Sequence, residues 1–180
     1  QSEVATESHQ KRPKEVYGTM KLAGEVVTRG LSDFYGIPYT IVRPSAVYGP
    51  TDMNRRVSQI FIEKALNKQK IKVHGKDEKL DFTYIKDIAH GAILATIKKE
   101  GIGEDFNITH GRAHTLLDYV ECLKYHFPDL DYEILPRDSF RPKRGTLSIE
   151  KASKLLGYEP QYSLKEGVND YVEFINKHWT

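Results

Sequence analysis

Residues 17–50 read YGTMKLAGEVVTRGLSDFYGIPYTIVRPSAVYGP, and this stretch decides the fold class. Its first half continues an apolar pattern at helical spacing: Val16, Met20, Ala23, Val27, Leu31 and Phe34. Pro13 suits the first turn of a helix, where its missing N–H costs nothing. Gly36 suits a C-terminal stop. The spacing therefore predicts a helix over 14–35. The β-rich run Tyr39–Val42 then predicts a short buried strand that Pro44 ends. A helix returning into such a strand indicates an αβ unit of a parallel sheet. The following Ser45–Pro50 segment becomes a loop at the strand's C-terminal end, where open α/β sheets bind ligands.

Tyr17 and Lys21 lie one turn apart on one face of that helix. An ammonium at that distance favours the ionised phenol, and the helix N-terminus adds to the effect. The pair can thus act as a base toward an alcohol near neutral pH. With 11 tyrosines in a lysine-rich chain, about one such spacing arises by chance. Taken alone, the pair reads rather as an amphipathic helix with an exposed lysine.

A chain of 180 residues suffices for one domain with a proper core. Its net charge of +2 advertises no nucleic-acid partner. The single cysteine, Cys122, excludes an intramolecular disulfide framework and fits a reducing, cytoplasmic compartment; within a helical apolar pattern it reads as a buried structural thiol. No apolar run approaches the ~18 residues of a membrane span, and no secretory leader is recognised. Residues 1–14 are polar, lack a strand pattern and do not begin with Met. They read as a loop entered midway, so the chain is expected to be a piece of something longer.

The rest alternates between helices and strands. Helices are predicted over 57–67, from Asp87 through Ile97, from Thr115 through Phe127, from Ser148 to a stop at Gly157, and from Leu164 to Trp179. Strands are predicted over 71–73, 80–85, 106–108 and 132–135. Asp87 reads as the cap of its helix, and Thr115 with Asp118 as a capping box. The last helix carries Leu164, Val168, Tyr171, Val172 and Ile175 along one stripe. His110 and His114 have metal-compatible spacing, but Gly111 makes that stretch a loop and no cysteine or acidic cluster supports it. No metal site is expected.

Five stretches in this order resemble the extended short-chain dehydrogenase/reductase family, the NAD-dependent nucleotide-sugar epimerases and dehydratases. They are Tyr17-x-x-x-Lys21 with Leu-Ala-Gly-Glu25, Arg43-Pro-Ser-Ala-Val-Tyr-Gly-Pro50, Asp81-Phe-Thr-Tyr-Ile-Lys-Asp87, Phe106-Asn107-Ile108, and Ser148-Ile-Glu-Lys-Ala leading to Leu156-Gly-Tyr-Glu-Pro160. The likeness is to UDP-glucose 4-epimerase-like proteins. It implies an α/β fold: the C-terminal part of a Rossmann-like parallel sheet (1–55 and 82–110) plus a small α/β substrate-binding domain (56–81 and 111–180). The family's glycine-rich phosphate loop and its catalytic Ser or Thr upstream of the tyrosine have no counterpart here. The resemblance therefore implies the C-terminal half of such an enzyme, inactive alone, whose partner is the missing N-terminal half.

The same resemblance implies roles. Tyr17 would take a proton from a sugar hydroxyl while NAD takes hydride from the same carbon. Lys21 would assist Tyr17 and hydrogen-bond the nicotinamide ribose. Pro44, Ser45 and Val47 would line the cofactor. Ala46 would face the substrate, where many relatives have Asn. Arg43 reads as structural. For the diphosphate, relatives often carry Arg where Leu80 stands; Lys79 beside it could serve as a point charge or be a strand-edge lysine. Arg141 and Arg144 both fall where relatives place a second phosphate-binding Arg. Asn107 would position substrate or satisfy a turn. The implied ligand is a nucleoside-diphosphate sugar, and the implied assembly is a homodimer through the 14–35 helix. A 4,6-dehydratase, a reductase and a non-catalytic sugar-nucleotide-binding fragment remain open.

Overall fold

The computed structural model describes residues 4–137 and 143–178. Helix α1 spans Val16–Tyr35. It begins later than expected: Glu15, not Pro13, flanks its first turn, without a side-chain cap. Gly36 does end it, at φ 66°, donating its N–H to the Ser32 carbonyl at 2.8 Å. Strand β1 is Ile41–Pro44, two residues later than the β-rich run suggested. Pro44 ends the strand from inside because its partner strand β6, Asp105–Ile108, runs alongside it in parallel as far as Ile108.

Strand β2 (Val47–Tyr48) pairs in parallel with β5 (Thr83–Tyr84). Helix α2 (Val57–Leu66) leads to β3 (Ile71–His74), which pairs in parallel with β8 (Tyr132–Leu135). Strand β4 (Lys79–Leu80) pairs antiparallel with β7 (His114–Thr115). Helices α3 (Ile85–Ile97), α4 (Leu116–His126), α5 (Glu150–Leu156) and α6 (Leu164–His178) complete the chain. The architecture is α/β with three parallel strand pairs among the described residues.

The single strand expected over 80–85 is instead two. Between β4 and β5 the buried Asp81 accepts hydrogen bonds from the Leu147 N–H at 3.0 Å and the Thr109 hydroxyl at 3.1 Å. Those bonds hold the chain where it leaves one strand pair for another. Asp87 also departs from its expected role. It does not cap α3; its buried carboxylate accepts the N–H groups of Gln161 at 2.8 Å and Tyr162 at 3.2 Å, fixing the segment that enters α6. The Thr115–Asp118 capping box forms as expected, with bonds of 3.0 and 2.8 Å.

Two groups of buried side chains make the core. The larger gathers Tyr48, Phe61, Phe82, Tyr84 and Tyr119 with the α6 stripe Leu164, Val168, Tyr171, Val172 and Ile175. Each fully buried side chain of that stripe contributes roughly 1.5–3 kcal/mol. The smaller packs Phe106 and Ile108 of β6 against Ala95, Ala152, Leu156 and Tyr158. Helix α1 belongs to neither: none of its residues is buried. Its inward stripe, half-buried, is Gly18, Leu22, Glu25, Arg29 and Ser32, while Val16, Met20, Val27, Leu31 and Phe34 face outward.

Candidate active site

Tyr17 and Lys21 occupy the first turns of α1. The Lys21 Nζ lies 5.5 Å from the centroid of the Tyr17 ring, a cation–π contact. Tyr17 is 66% exposed, so both polar tips are open to a ligand.

A polar clamp ties this helix to the sheet. Arg43 of β1 donates from Nε to Glu25 Oε1 at 2.7 Å and from Nη2 to Glu25 Oε2 at 2.8 Å. Its Nη2 also engages Asp105 of β6. Arg29 reaches Glu25 at 3.4 Å and Asp105 at 3.6 Å. The Arg43 fork holds the Glu25 carboxyl below the usual glutamate range. Burial works against the Asp105 charge, yet Arg43, Lys151 and Arg29 more than offset it and that carboxyl also lies low. Arg43 thus has a definite structural partner set. Glu25 and Asp105 escaped the sequence reading; the signal for Glu25 was a carboxylate one helical turn beyond Lys21.

After Pro44 the backbone is strained. Ala46 sits at φ 37°, Thr51 at 66° and Arg55 at 51°, all left-handed for L-residues. Gly49, at φ 147°, is required by space as well: a Cβ there would lie 2.5 Å from Ile85 Cγ2. Such strain concentrated at the C-terminal end of parallel strands is a feature of ligand sites. Pro44 is exposed, Ser45, Ala46 and Val47 are half-buried, and the Ala46 carbonyl accepts the Thr83 N–H at 3.4 Å.

Asn107, the β6 residue paired with Arg43, is buried. Its side-chain amide donates to the carbonyls of Ala5 at 3.3 Å and Ser148 at 3.1 Å, and its N–H donates to Glu7 Oε1 at 2.9 Å. These bonds stitch the segment before α1 to the body of the protein, together with the parallel bridge between Ala5 and Leu147.

A separate cleft of about 1030 Å³ opens between the β3–β4 turn and the segment after β8. Lys76, Lys79, Lys143 and Arg144 line it, and Arg137 there pairs with Glu78. The structure therefore brings Lys79 and Arg144 together on one basic wall; Tyr17, Lys21 and Asn107 are not among its lining residues. Arg141 lies outside the described residues. Five cations stand against Asp77 and Glu78 in this open cleft, a balance that suits a phosphate-bearing ligand.

The remaining candidates are quiet. The His110 and His114 rings stand 6.0 Å apart, and burial, with Asp118 opposing it, keeps the His114 imidazole below its ordinary range. No group of potential metal ligands occurs among the described residues. Cys122 is half-buried, and burial pushes its thiol up, away from the reactive thiolate. No helix among the described residues is long and apolar enough to cross a membrane.

Comparison with known proteins gives this geometry a context. The family description "NAD dependent epimerase/dehydratase family" matches residues 1–109. A putative UDP-glucose 4-epimerase of Methanocaldococcus jannaschii is 29% identical over 181 residues, 96% of this chain and 57% of that protein. A dTDP-glucose 4,6-dehydratase of Escherichia coli is 26% identical, over 98% of this chain and 52% of its own length. Among solved structures, UDP-glucuronic acid 4-epimerase from Bacillus cereus in complex with UDP-glucuronic acid and NAD superposes with a TM-score of 0.90 at 29% identity, over 98% of this chain and 57% of that one. The chain spans about half the length of the relatives it matches.

Proposed function

Because the chain belongs to the NAD-dependent epimerase/dehydratase family, we propose that it completes a UDP-sugar 4-epimerase together with a glycine-rich nucleotide-binding segment supplied from outside these residues. The observation that carries this reading is the exposed Tyr17–Lys21 pair on α1, a helix clamped through Glu25 to β1, the strand that leads into the strained loop. A phenol and an ammonium, both open to solvent, fit a ribose and a reacting hydroxyl. NAD, when bound, supplies acceptance and return of hydride at the sugar carbon.

Tyr17 takes the proton of the sugar hydroxyl as that carbon is oxidised and returns it to the opposite stereoisomer. Lys21 steadies the phenolate and would hydrogen-bond the ribose of bound NAD. Pro44, Ser45 and Val47 would line the nicotinamide, and Ala46 would border the sugar with no side-chain hydrogen bond to offer. The basic cleft holds the diphosphate through Lys79 and through Arg144 or Arg141; Lys79 is a point charge, whereas an arginine can grip two oxygens. Asn107 acts on substrate only through the segments it ties. The division into a Rossmann-like part and a substrate-binding part rests on the family likeness, since each buried cluster draws residues from both parts. The outward apolar stripe of α1 supports a homodimer through that helix. The free thiol supports a cytoplasmic setting.

The test is turnover by the full-length protein. With UDP-glucose or UDP-glucuronate an epimerase yields a product of unchanged mass, whereas a 4,6-dehydratase acting on UDP-glucose yields one lighter by water. Tyr17→Phe abolishes either. A second reading rests on the separation of the basic cleft from Tyr17 and Lys21: a sugar-nucleotide-binding module without redox chemistry. UDP-sugar binding without turnover in the full-length protein would favour it.

A further inference from the structure

The clamp at Glu25 does more than fasten a helix. α1 enters β1 through the short 36–40 connection, so it runs back along the strand and its N-terminal end points toward the C-terminal end of β1. Glu25 and Arg43 meet at one level. Lys21 lies one turn before Glu25, about 6 Å nearer that end. A strand covers that rise in roughly two residues, which sets Lys21 level with Ser45. One further turn carries Tyr17 past Ala46. No residue of α1 is buried and Leu22 is half-buried, so hydrophobic packing against the described residues contributes little to that level. The fork sets it, because a guanidinium bonded through two nitrogens to two oxygens fixes both height and rotation.

Resting on the reading given under Proposed function, we propose that the Glu25–Arg43 fork, steadied by Arg29 and Asp105, is a positioning device. It sets the register between the Tyr17/Lys21 turn and the Pro44–Ala46 loop. Neither Glu25 nor Arg43 touches the reacting atoms; each acts through the helix that carries Tyr17. Two independent contacts point the same way. Arg29, one turn beyond Glu25, bridges the same two carboxylates, and Asp105 is itself gripped by Lys151 of α5 at 3.5 Å. The clamp is therefore anchored through β6 to α5 and not only in β1.

The experiment uses the full-length protein with Glu25→Gln and, separately, Arg43→Lys, which keeps the charge and loses the fork. Small misplacement of a catalytic group lowers turnover steeply, so kcat is expected to fall about 10- to 100-fold with KM for the UDP-sugar within about twofold. Amide hydrogen exchange over residues 17–24 is expected to quicken several-fold while β3 amides keep their protection. Unchanged exchange in α1 overturns the proposal, as does a rise in KM that accounts for the whole loss, or quickened exchange throughout the core. If the unaltered protein turns over no UDP-sugar, the functional reading fails, and the exchange measurement still decides whether the fork holds the helix.

Discussion

Helices α1 and α6 carry the same kind of sequence and meet opposite fates. Both have an apolar stripe at helical spacing. The α6 stripe is buried to the last residue, with Val168 at 0% and Tyr171 at 2% exposure. The α1 stripe is turned out to solvent, with Val16 at 80% and Phe34 at 81%, and the helix meets its own chain through Glu25 and Arg29. Periodicity reports that a helix has a greasy partner; it does not report which polypeptide surface that partner is. For α6 the partner is α4 and the aromatic cluster. Among the described residues nothing covers the α1 stripe.

That contrast can be tested in order of size. Tyr171→Ala opens a hole in the larger core and is expected to cost about 3–5 kcal/mol in denaturant unfolding. Next comes Asp87→Ala, which strips the acceptors from the Gln161 and Tyr162 N–H groups and is expected to cost about 2–3 kcal/mol by the same measurement. In α1, Leu31→Asp is expected to leave unfolding within about 0.5 kcal/mol and to lower the mass of the assembly by light scattering. A concentration-independent monomer in the unaltered protein would remove association through α1 from the account.

Acid separates the two regions again. The Glu25 carboxyl is depressed in the folded state. Its contribution is present above the ordinary glutamate range and is lost as pH falls through the depressed value. The Asp81 carboxyl is raised, chiefly by burial and despite its hydrogen bonds. The folded state therefore takes up that proton first, and the cost of burying the charge is relieved as pH falls through the raised value. Exchange measured during acidification should show α1 loosening while β3 stays protected. The smallest effect is expected at Ala46: Asn visits the left-handed region more readily than Ala, so Ala46→Asn should shift stability by no more than about 0.5 kcal/mol.

Local chemistry was legible and distant pairing was not. The Thr115–Asp118 box, the glycine stops at Gly36 and Gly157 and the α6 stripe depend on residues within a turn or two, and each appears in the structure. The break at Asp81 could not be read, because it depends on Leu147 and Thr109 far along the chain. Asp87 sits where a helix cap belongs, yet its acceptors are taken by Gln161 and Tyr162, so tertiary demand overrode the local rule. Of the site, Tyr17 and Lys21 were visible as a spacing, and the gathering of Lys79 with Arg144 was visible through resemblance. The Glu25–Arg43 fork was invisible because nothing in a single sequence links a helix carboxylate to a strand arginine.

The stitch at Asn107 bears on the order of assembly. It joins residues separated by 102 and 100 positions, and the Ser148 carbonyl closes the same knot. Chains emerge from the ribosome N-terminus first, so residues 4–8 and the turn bearing Tyr17 must wait, undocked, until β6 and the start of α5 have been made. Long loop closures of this kind slow folding. The segment before α1 is thus synthesised ahead of the strand and helix that fasten it.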